Sequence, residues 1–389
     1  MGLPVTYNVR SVAARWVSSL VAILGIAGAV GVFIAMLALA RGFQATLVSS
    51  GSPMNAIIRQ AGADSELTSS IDAEAVAVVS DLPQVARRGS QPLVSPEVVF
   101  VASLPLKEGG GEANVEVRGV APGVLAVRDN VRIVAGRFFT PGLYEVIVGR
   151  NARLSYAHAE LGDRLHIGPG TWTVVGQFDA GGSAFDSEIW GDANVLNASY
   201  QRPPGIFGAV TARLTSEGAL TSLQNALAHN PRVHVDATRE TDYYAGQSRM
   251  FTTLITALGG MVAAVMGLGA VLAALNTMYA AISERGREIA VLRAIGFGGM
   301  AIVLSFLIES LLIAAIGGLV GCVAVLPING ITTGTMNWQT FAHLSFAFRV
   351  TSDLMLLGFI FALAMGVLGG LPPAIRAARG QISTTLRGL

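Results

Sequence analysis

The chain has 389 residues, of which 52% are hydrophobic and 13% charged, with a formal net charge of +1, and its mean hydropathy is +0.57. Soluble domains carry about 25% charged residues, so this balance excludes an ordinary soluble protein, and the near-zero charge gives no reason to expect nucleic acid as a partner. Cys322 is the single cysteine and lies in an apolar run, which excludes an intrachain disulfide and a cysteine-based metal site.

Trp16 to Ala40 contains no Asp, Glu, Lys or Arg, and a membrane-spanning helix needs about 20 such residues. The stretch exceeds the ~7–15 residues of a signal-peptide core, and no small-residue cleavage site closes it before Arg41, so residues 17–40 read as an uncleaved first span after a short N-terminus, 1–16. Residues 41–249 then change texture. Short β-rich runs at 114–120 (NVEVRGV), 145–148 (EVIV) and 171–176 (TWTVVG) alternate with Gly and Pro turns, as in strands joined by tight connections. Helices are predicted at 71–80, with Asp72 near the start, and at 216–228, where Thr215 or Ser216 can cap. The run KEGGGEA at 107–113 reads as a turn between strands; no helix follows it, so a phosphate-cradle role is a poor fit. An extracytoplasmic α+β domain results.

From Thr238 to Ser283 the pattern suits one helix of some 45 residues, roughly 65–70 Å long, against a hydrocarbon core of about 30 Å. Its first turns would project as a stalk with Tyr243 and Tyr244 on the surface; the competing reading is a loop to about Met250 followed by an ordinary span. The second span is placed at 250–276, a cytoplasmic segment at 277–300, the third span at 301–325, an external loop at 326–353, the fourth span at 354–375 and a cytoplasmic tail at 376–389. Arginines orient the chain: Arg10 and Arg15 ahead of span one, Arg285, Arg287 and Arg293 between spans two and three, and Arg376, Arg379 and Arg387 at the end. Positive loops stay inside, so both termini face the cytoplasm and the domain lies outside.

Small residues four apart occur in the spans: Gly25 and Ala29, Gly260 and Ala264, Gly317 and Gly321, Gly366 and Gly370. Such pairs let helix backbones approach closely, within one chain or between two. Glu309, inside the third span, is costly in lipid unless it meets water, a partner or the bundle interior.

The segment 278–297, MYAAISERGREIAVLRAIGF, carries the most specific signal. Ile282, Ile289, Leu292 and Ile295 fall on one side of a helix, and Glu284, Arg285, Arg287, Glu288 and Arg293 largely on the others, with Ser283 to start it and Gly296 to end it. The pattern suits an interfacial helix with its arginines on anionic headgroups, while the mixture of Glu and Arg leans toward a protein partner.

ERGREIAVLRAIGF resembles the coupling segment of FtsX-like, or MacB-type, ABC transporter permeases. The N-terminal NVRSVAARWVSSLVAILGIAGAVGVFIAMLALARGF, the extracytoplasmic GRFFTPGLYEVIVGRNAR, LGDRLHIG and WTVVGQFDAGGSAFDSEIWGD, and the closing LPPAIRAARGQISTTLRGL are similar to the same family. The resemblance implies four transmembrane helices, a large extracytoplasmic α+β domain between the first two, extended stalk helices, and transmission of motion without passage of substrate between the spans. It further implies a bacterial inner-membrane dimer with an identical or paralogous chain, two copies of an ATPase subunit, and a coupling helix formed by Glu284, Arg285, Arg287, Glu288, Ile289, Leu292, Arg293 and Gly296. MacB-type relatives with a fused ATPase carry it ahead of the first span, where about 16 residues stand here. The sequence has no GxxxxGK[ST] loop, and Lys107 is its single lysine. No cofactor is therefore expected in this chain, ATP and Mg being bound by the partner.

Other catalysis finds no footing. His158, His166, His234 and His343 are scattered, with no HExxH or GxSxG motif. The acidic set Asp179, Asp186, Glu188 and Asp192 lacks the ligand spacing of an EF-hand loop and reads as a turn-rich element of the fold. Two functions stay open: efflux from the periplasmic side with an adaptor protein, favoured by the domain's size, or lipoprotein release or activation of a cell-wall hydrolase.

Overall fold

Among the described residues four helices are long and apolar enough to cross a membrane, where the charge-free stretches predict them. The structure, a computed structural model, describes residues 16–379; Arg10, Arg15 and Arg387, used above for orientation, lie outside the described residues, as does the side chain of Leu292. In chain order the elements are α1 (Trp16–Val48), β1 (Asn55–Gln60), α2 (Ala73–Asp81), a short pair β2 (Arg87–Arg88) and β3 (Gln91–Pro92), β4 (Val94–Pro105), β5 (Glu112–Val120), α3 (Val124–Val127), β6 (Arg132–Gly136), β7 (Glu145–Gly149), α4 (Arg150–Ser155), β8 (Arg164–Ile167), β9 (Gly170–Asp179), β10 (Ile189–Asp192), α5 (Ala193–Ser199), β11 (Ala209–Arg213), α6 (Ala219–Ala228), β12 (Val235–Arg239), α7 (Glu240–Glu284), α8 (Gly286–Ala294), α9 (Gly299–Val325), β13 (Thr332–Met336), β14 (His343–Ala347) and α10 (Ser352–Arg379). They divide into two units, one of residues up to 41, 252–331 and 348 onward, the other of 42–251 and 332–347.

The second unit is built on a sheet with strand order β12-β1-β11-β4-β5-β10-β7-β9-β6, β8 pairing with β9. β4 is long enough to serve two neighbours: its residues 94–97 pair with β11 and 98–105 with β5, both antiparallel. Two apolar cores follow, one with Ile58, Val79, Val210 and Leu223, the other with Val117, Val148, Trp172 and Ile189. At the β4–β5 turn Gly109, Gly110 and Gly111 all take positive φ, which the KEGGGEA run supplies without Cβ strain. Asp72 caps α2 by accepting from the Ala75 amide at 2.8 Å. α6 starts later than the sequence suggests, at Ala219, with no side-chain cap; Ser216 contributes its carbonyl, which accepts from the Ala219 amide.

The sequence reading treats 326–353 as a loop. It contains the antiparallel hairpin β13–β14, which is part of the second unit. Ala342, Leu344 and Phe346 are buried, Phe346 lies edge-on to Phe43 at 5.4 Å between ring centroids, and the Ser345 amide donates to Ser187 Oγ at 3.1 Å.

In the first unit, Ala22, Ile26, Ala29, Val30 and Ile34 of α1 share a core with Ala270 of α7, Ile313 and Ala314 of α9, and Ala362 and Met365 of α10. Close approach depends on small residues. A Cβ on Gly317 or Gly321 would stand 3.0 Å or 2.7 Å from carbonyl oxygens of α1, at Ile23 and Ala27, and one on Gly366 would stand 2.5 Å from Ala314 Cβ. Gly370 likewise lies against Ser310. Of the two roles the spacing allows, Gly260 and Ala264 do not take the intrachain one: both are exposed, and nothing lies within 4 Å of a Cβ placed on Gly260. Buried small residues of α7 instead include Gly259, Ala263, Gly267, Ala270, Ala274 and Ala281, because the helix turns the other side to its neighbours.

Candidate coupling surface and a buried charge network

α7 is a single helix of 45 residues that runs on to Glu284, so Ser283 lies inside it and does not cap α8. The break falls at Arg285, whose side chain makes no cap hydrogen bond; Gly286, a poor helix former, follows. Gly296 closes the segment with φ of +103° and its amide donates to the Arg293 carbonyl at 3.1 Å.

The two sides of α8 differ. Ile289 and Ala290 are buried, Ile289 in a cluster with Met278, Ile302, Phe306 and Ala374. Arg285 Nη1 meets Glu309 Oε2 at 3.3 Å and its Nε lies 3.9 Å from Glu288 Oε2, so the third span's carboxylate is in the bundle interior with a cation beside it. Outward, Glu284, Arg287 and Glu288 are exposed together with Val291 (46%), Ile295 (71%) and Met300 (78%). Ile295 is thus a correction: it lies away from the anchored side, because the last turn of α8 ends before the chain folds back into α9. A groove of about 440 Å³ beside this helix is lined by Tyr279, Ile282, Ile289, Arg293, Pro373 and Arg376, and the Arg376 guanidinium stands 5.7 Å from the Tyr279 ring centroid.

Tyr243 and Tyr244 are not surface residues of a stalk. Both are buried in the second unit, Tyr244 edge-on to Phe185, because the face of α7 they occupy covers the sheet. Beneath them lies a network that strand periodicity creates. Val115 and Val117 of β5 point into the Trp172 core, which sends Glu116 and Arg118 to the opposite face. Arg118, 1% exposed, donates from Nε to Glu188 Oε2 at 2.8 Å, from Nη1 to Glu66 Oε1 at 2.7 Å and Glu97 Oε2 at 3.1 Å, and from Nη2 to Glu116 Oε1 at 2.7 Å. Arg128 donates to Glu97 at 2.9 Å and to Glu240, the first residue of α7, at 2.5 Å. The other Glu240 oxygen accepts from the Ser52 amide and Asn55 Nδ2. Burial would raise Glu97, but Arg128 and Arg118 outweigh it and hold the carboxyl below its ordinary value. Burial and the adjacent Glu188 push Glu116 well up, and burial raises Glu240 in spite of Arg128.

The acidic run of β9–β10 has structural work for each member. Asp186 accepts from the Ala180 and Gly182 amides, Asp192 caps α5 at the Asn194 amide, Asp179 accepts from the Gly181 amide, and Glu188 holds Arg118 and the Trp190 indole N–H. Sequence reasoning missed the rest of the network; its signal is charged residues inside otherwise apolar strands, at Glu97, Glu116 and Arg118.

Residues 19–230 match the family described as the MacB-like periplasmic core domain, and 260–382 match the FtsX-like permease C-terminal family. The chain belongs to the MacB/FtsX-like ABC transporter permeases. This permease is 27% identical over 334 residues to the macrolide export ATP-binding/permease protein MacB of Bordetella avium, covering 78% of this chain and 47% of that one. It is 24% identical to the uncharacterized ABC transporter permease YknZ of Bacillus subtilis, covering 95% and 94%. The permease spans about half the length of the first MacB relatives it matches. The crystal structure of the extracellular domain of YknZ aligns with 47% of this chain and 99% of its own, at a TM-score of 0.36 and 15% identity. Four transmembrane helices with a periplasmic α+β domain between the first and second make the permease a multi-pass membrane protein.

Proposed function

We propose that the permease is driven by a separate ATPase subunit that docks on α8, and that the movement passes along α7 into the periplasmic domain to expel a substrate from the periplasmic side. The observation that carries this reading is the outward side of α8, where exposed Val291, followed by exposed Ile295 just past the helix end, stands with exposed Arg287 and Glu288. Protein interfaces pair an apolar centre with a polar rim, whereas a helix on anionic headgroups has no use for outward-facing glutamates. Ile289 and Ala290 anchor the helix, so force applied to it reaches the spans. Two permease chains, identical or paralogous, pair with two ATPase copies, and the open face at Gly260 and Ala264 suits close approach of the second chain or lipid. ATP and Mg sit in the partner. The complex resides in the bacterial inner membrane with both termini cytoplasmic, which the arginines near α8 and at the end of α10 support. The macrolide-export name of the MacB relatives supports export, and a periplasmic adaptor is proposed alongside it.

The test is capture of the native complex in detergent from cells carrying Arg287→Glu with Ile295→Asp. We expect normal insertion and loss of the copurifying ATPase. Recovery of the ATPase at the wild-type ratio would remove α8 as the docking element.

A further inference from the structure

Between the charge network and the β13–β14 hairpin lies a small, partly open space of about 20 Å³, room for one water molecule, which needs ~10–15 Å³ and two to four polar partners. Its lining includes Glu116, Glu188, Tyr244, Thr340 and His343. Two of these are buried hydroxyls with no hydrogen-bond partner among the described residues: Tyr244 Oη, on a residue 3% exposed, and Thr340 Oγ1, on one 5% exposed. An orphaned buried hydroxyl is destabilising, and a water here would relieve both.

The charges around this space do not balance. Arg118 and Arg128 face Glu66, Glu97, Glu116, Glu188 and Glu240, three carboxylates in excess. Arg118 Nη2 donates to Oε1 of both Glu116, at 2.7 Å, and Glu188, at 3.1 Å, which brings these two carboxyls together. An ionised carboxylate only accepts hydrogen bonds, so a bond between the two requires a proton.

We propose that this cavity is a proton-binding site: a single water, held by the Tyr244 and Thr340 hydroxyls, sits with a proton shared between the Glu116 and Glu188 carboxyls, and the hairpin closes over both. Lifting the hairpin admits solvent, ionises the acid and releases the proton to water; closing takes one proton back. The groups facing the pair are Arg118 on its own strand, Glu97 of β4, Glu66 after β1, Arg128 after α3, Glu240 and Tyr244 of α7 and His343 of β14. Burial lowers the His343 imidazole, so it stays neutral in the alkaline window used below. Burial and Glu188 raise Glu116, so the closed state binds a proton that an open one does not. Closure is thus fully favoured below the ordinary carboxylate range, weakens by about tenfold per pH unit between that range and the closed-state value, and levels off as pH rises through the latter. The site lies wholly in residues 42–251 and 332–347 and does not depend on α8 binding an ATPase.

The experiment uses the full chain in lipid nanodiscs with carbon-13 glutamate. At neutral pH we expect an infrared carbonyl band of a protonated, buried carboxylic acid that is lost as pH is raised and that is missing in Glu116→Gln. Hydrogen exchange of residues 332–347, normalised to intrinsic rates, should rise with pH over the same range in the wild type and stay flat in the variant. Absence of the acid band at neutral pH in the wild type overturns the proposal, and so does a hairpin whose pH response is the same in Glu116→Gln.

Discussion

Arg285, at the break between α7 and α8, reaches Glu309 in the third span, with Nη1 3.3 Å from Oε2 and the carboxylate 3% exposed. One ion pair therefore ties the start of the candidate docking helix to the interior of the bundle, and it gives Glu309 a cation in a place where a lone charge would be costly.

Arg285→Ala should destabilise the permease by about 1–3 kcal/mol, the range for a buried polar group left one hydrogen bond short. The double variant Arg285→Ala with Glu309→Leu should recover most of that loss, since replacing both members of a buried pair by apolar groups is often near neutral. Thermal unfolding in nanodiscs reads both; a double variant no better than the single would refute the role of the pair.

Arg118→Ala leaves the carboxylates it gathers without their shared cation and should cost the periplasmic domain about 3–5 kcal/mol. Arg232, exposed in its pair with Glu74 at 2.8 Å, gives the contrast: Arg232→Ala should cost about 0–1 kcal/mol. Urea unfolding followed by tryptophan fluorescence reports on Trp172 and Trp190 directly, and equal effects would contradict the network.

Acid should act through Glu145. The Arg137 side chain holds this carboxyl down to about 2, below its ordinary value, so its contribution is present above the ordinary carboxylate range and is lost as pH falls through about 2. Glu145→Gln should have a flatter acid limb of stability against pH than the wild type. An unchanged limb would exclude the pair as a source of acid sensitivity.

Gly366→Val should weaken the span bundle, because its first added carbon would meet Ala314, whereas Gly260→Val should leave the folded chain's stability within about 0.5 kcal/mol. Chemical crosslinking of the complex then asks whether Gly260→Val alters pairing with a second chain. Equal loss of thermal stability in the two variants would mean that α7 packs differently from what its exposed face indicates.

Much of this architecture is legible in the sequence because the membrane imposes long-range order on local composition. Charge-free length places the four spans, and the 238–283 pattern places α7 to within two residues of Glu240–Glu284. NVEVRGV announces β5 by its alternation. Alternation also assigns Glu116 and Arg118 to one face, but that face is ordinarily the wet one. Only the arrival of α7 and the hairpin over it makes the charges interior, and nothing local in the sequence encodes that cover. Tyr243 and Tyr244 mislead for the same reason: their helix is recognisable, but the side it buries depends on a sheet distant in sequence. For α8 the charged outward residues are legible, while the break at Arg285 rests on Glu309, which lies 24 positions on.

The periplasmic domain draws its last strands from residues 332–347, after the chain has passed through 252–331. During synthesis the sheet and the Arg118 network must therefore wait for two more spans to be made before β13 and β14 exist to cover them. At ~5–20 residues per second that interval is on the order of ten seconds. The nascent domain spends it with its charge cluster open to water, so its assembly is completed from the C-terminal side, and a chain cut short before Thr332 should emerge as a substrate for periplasmic proteases.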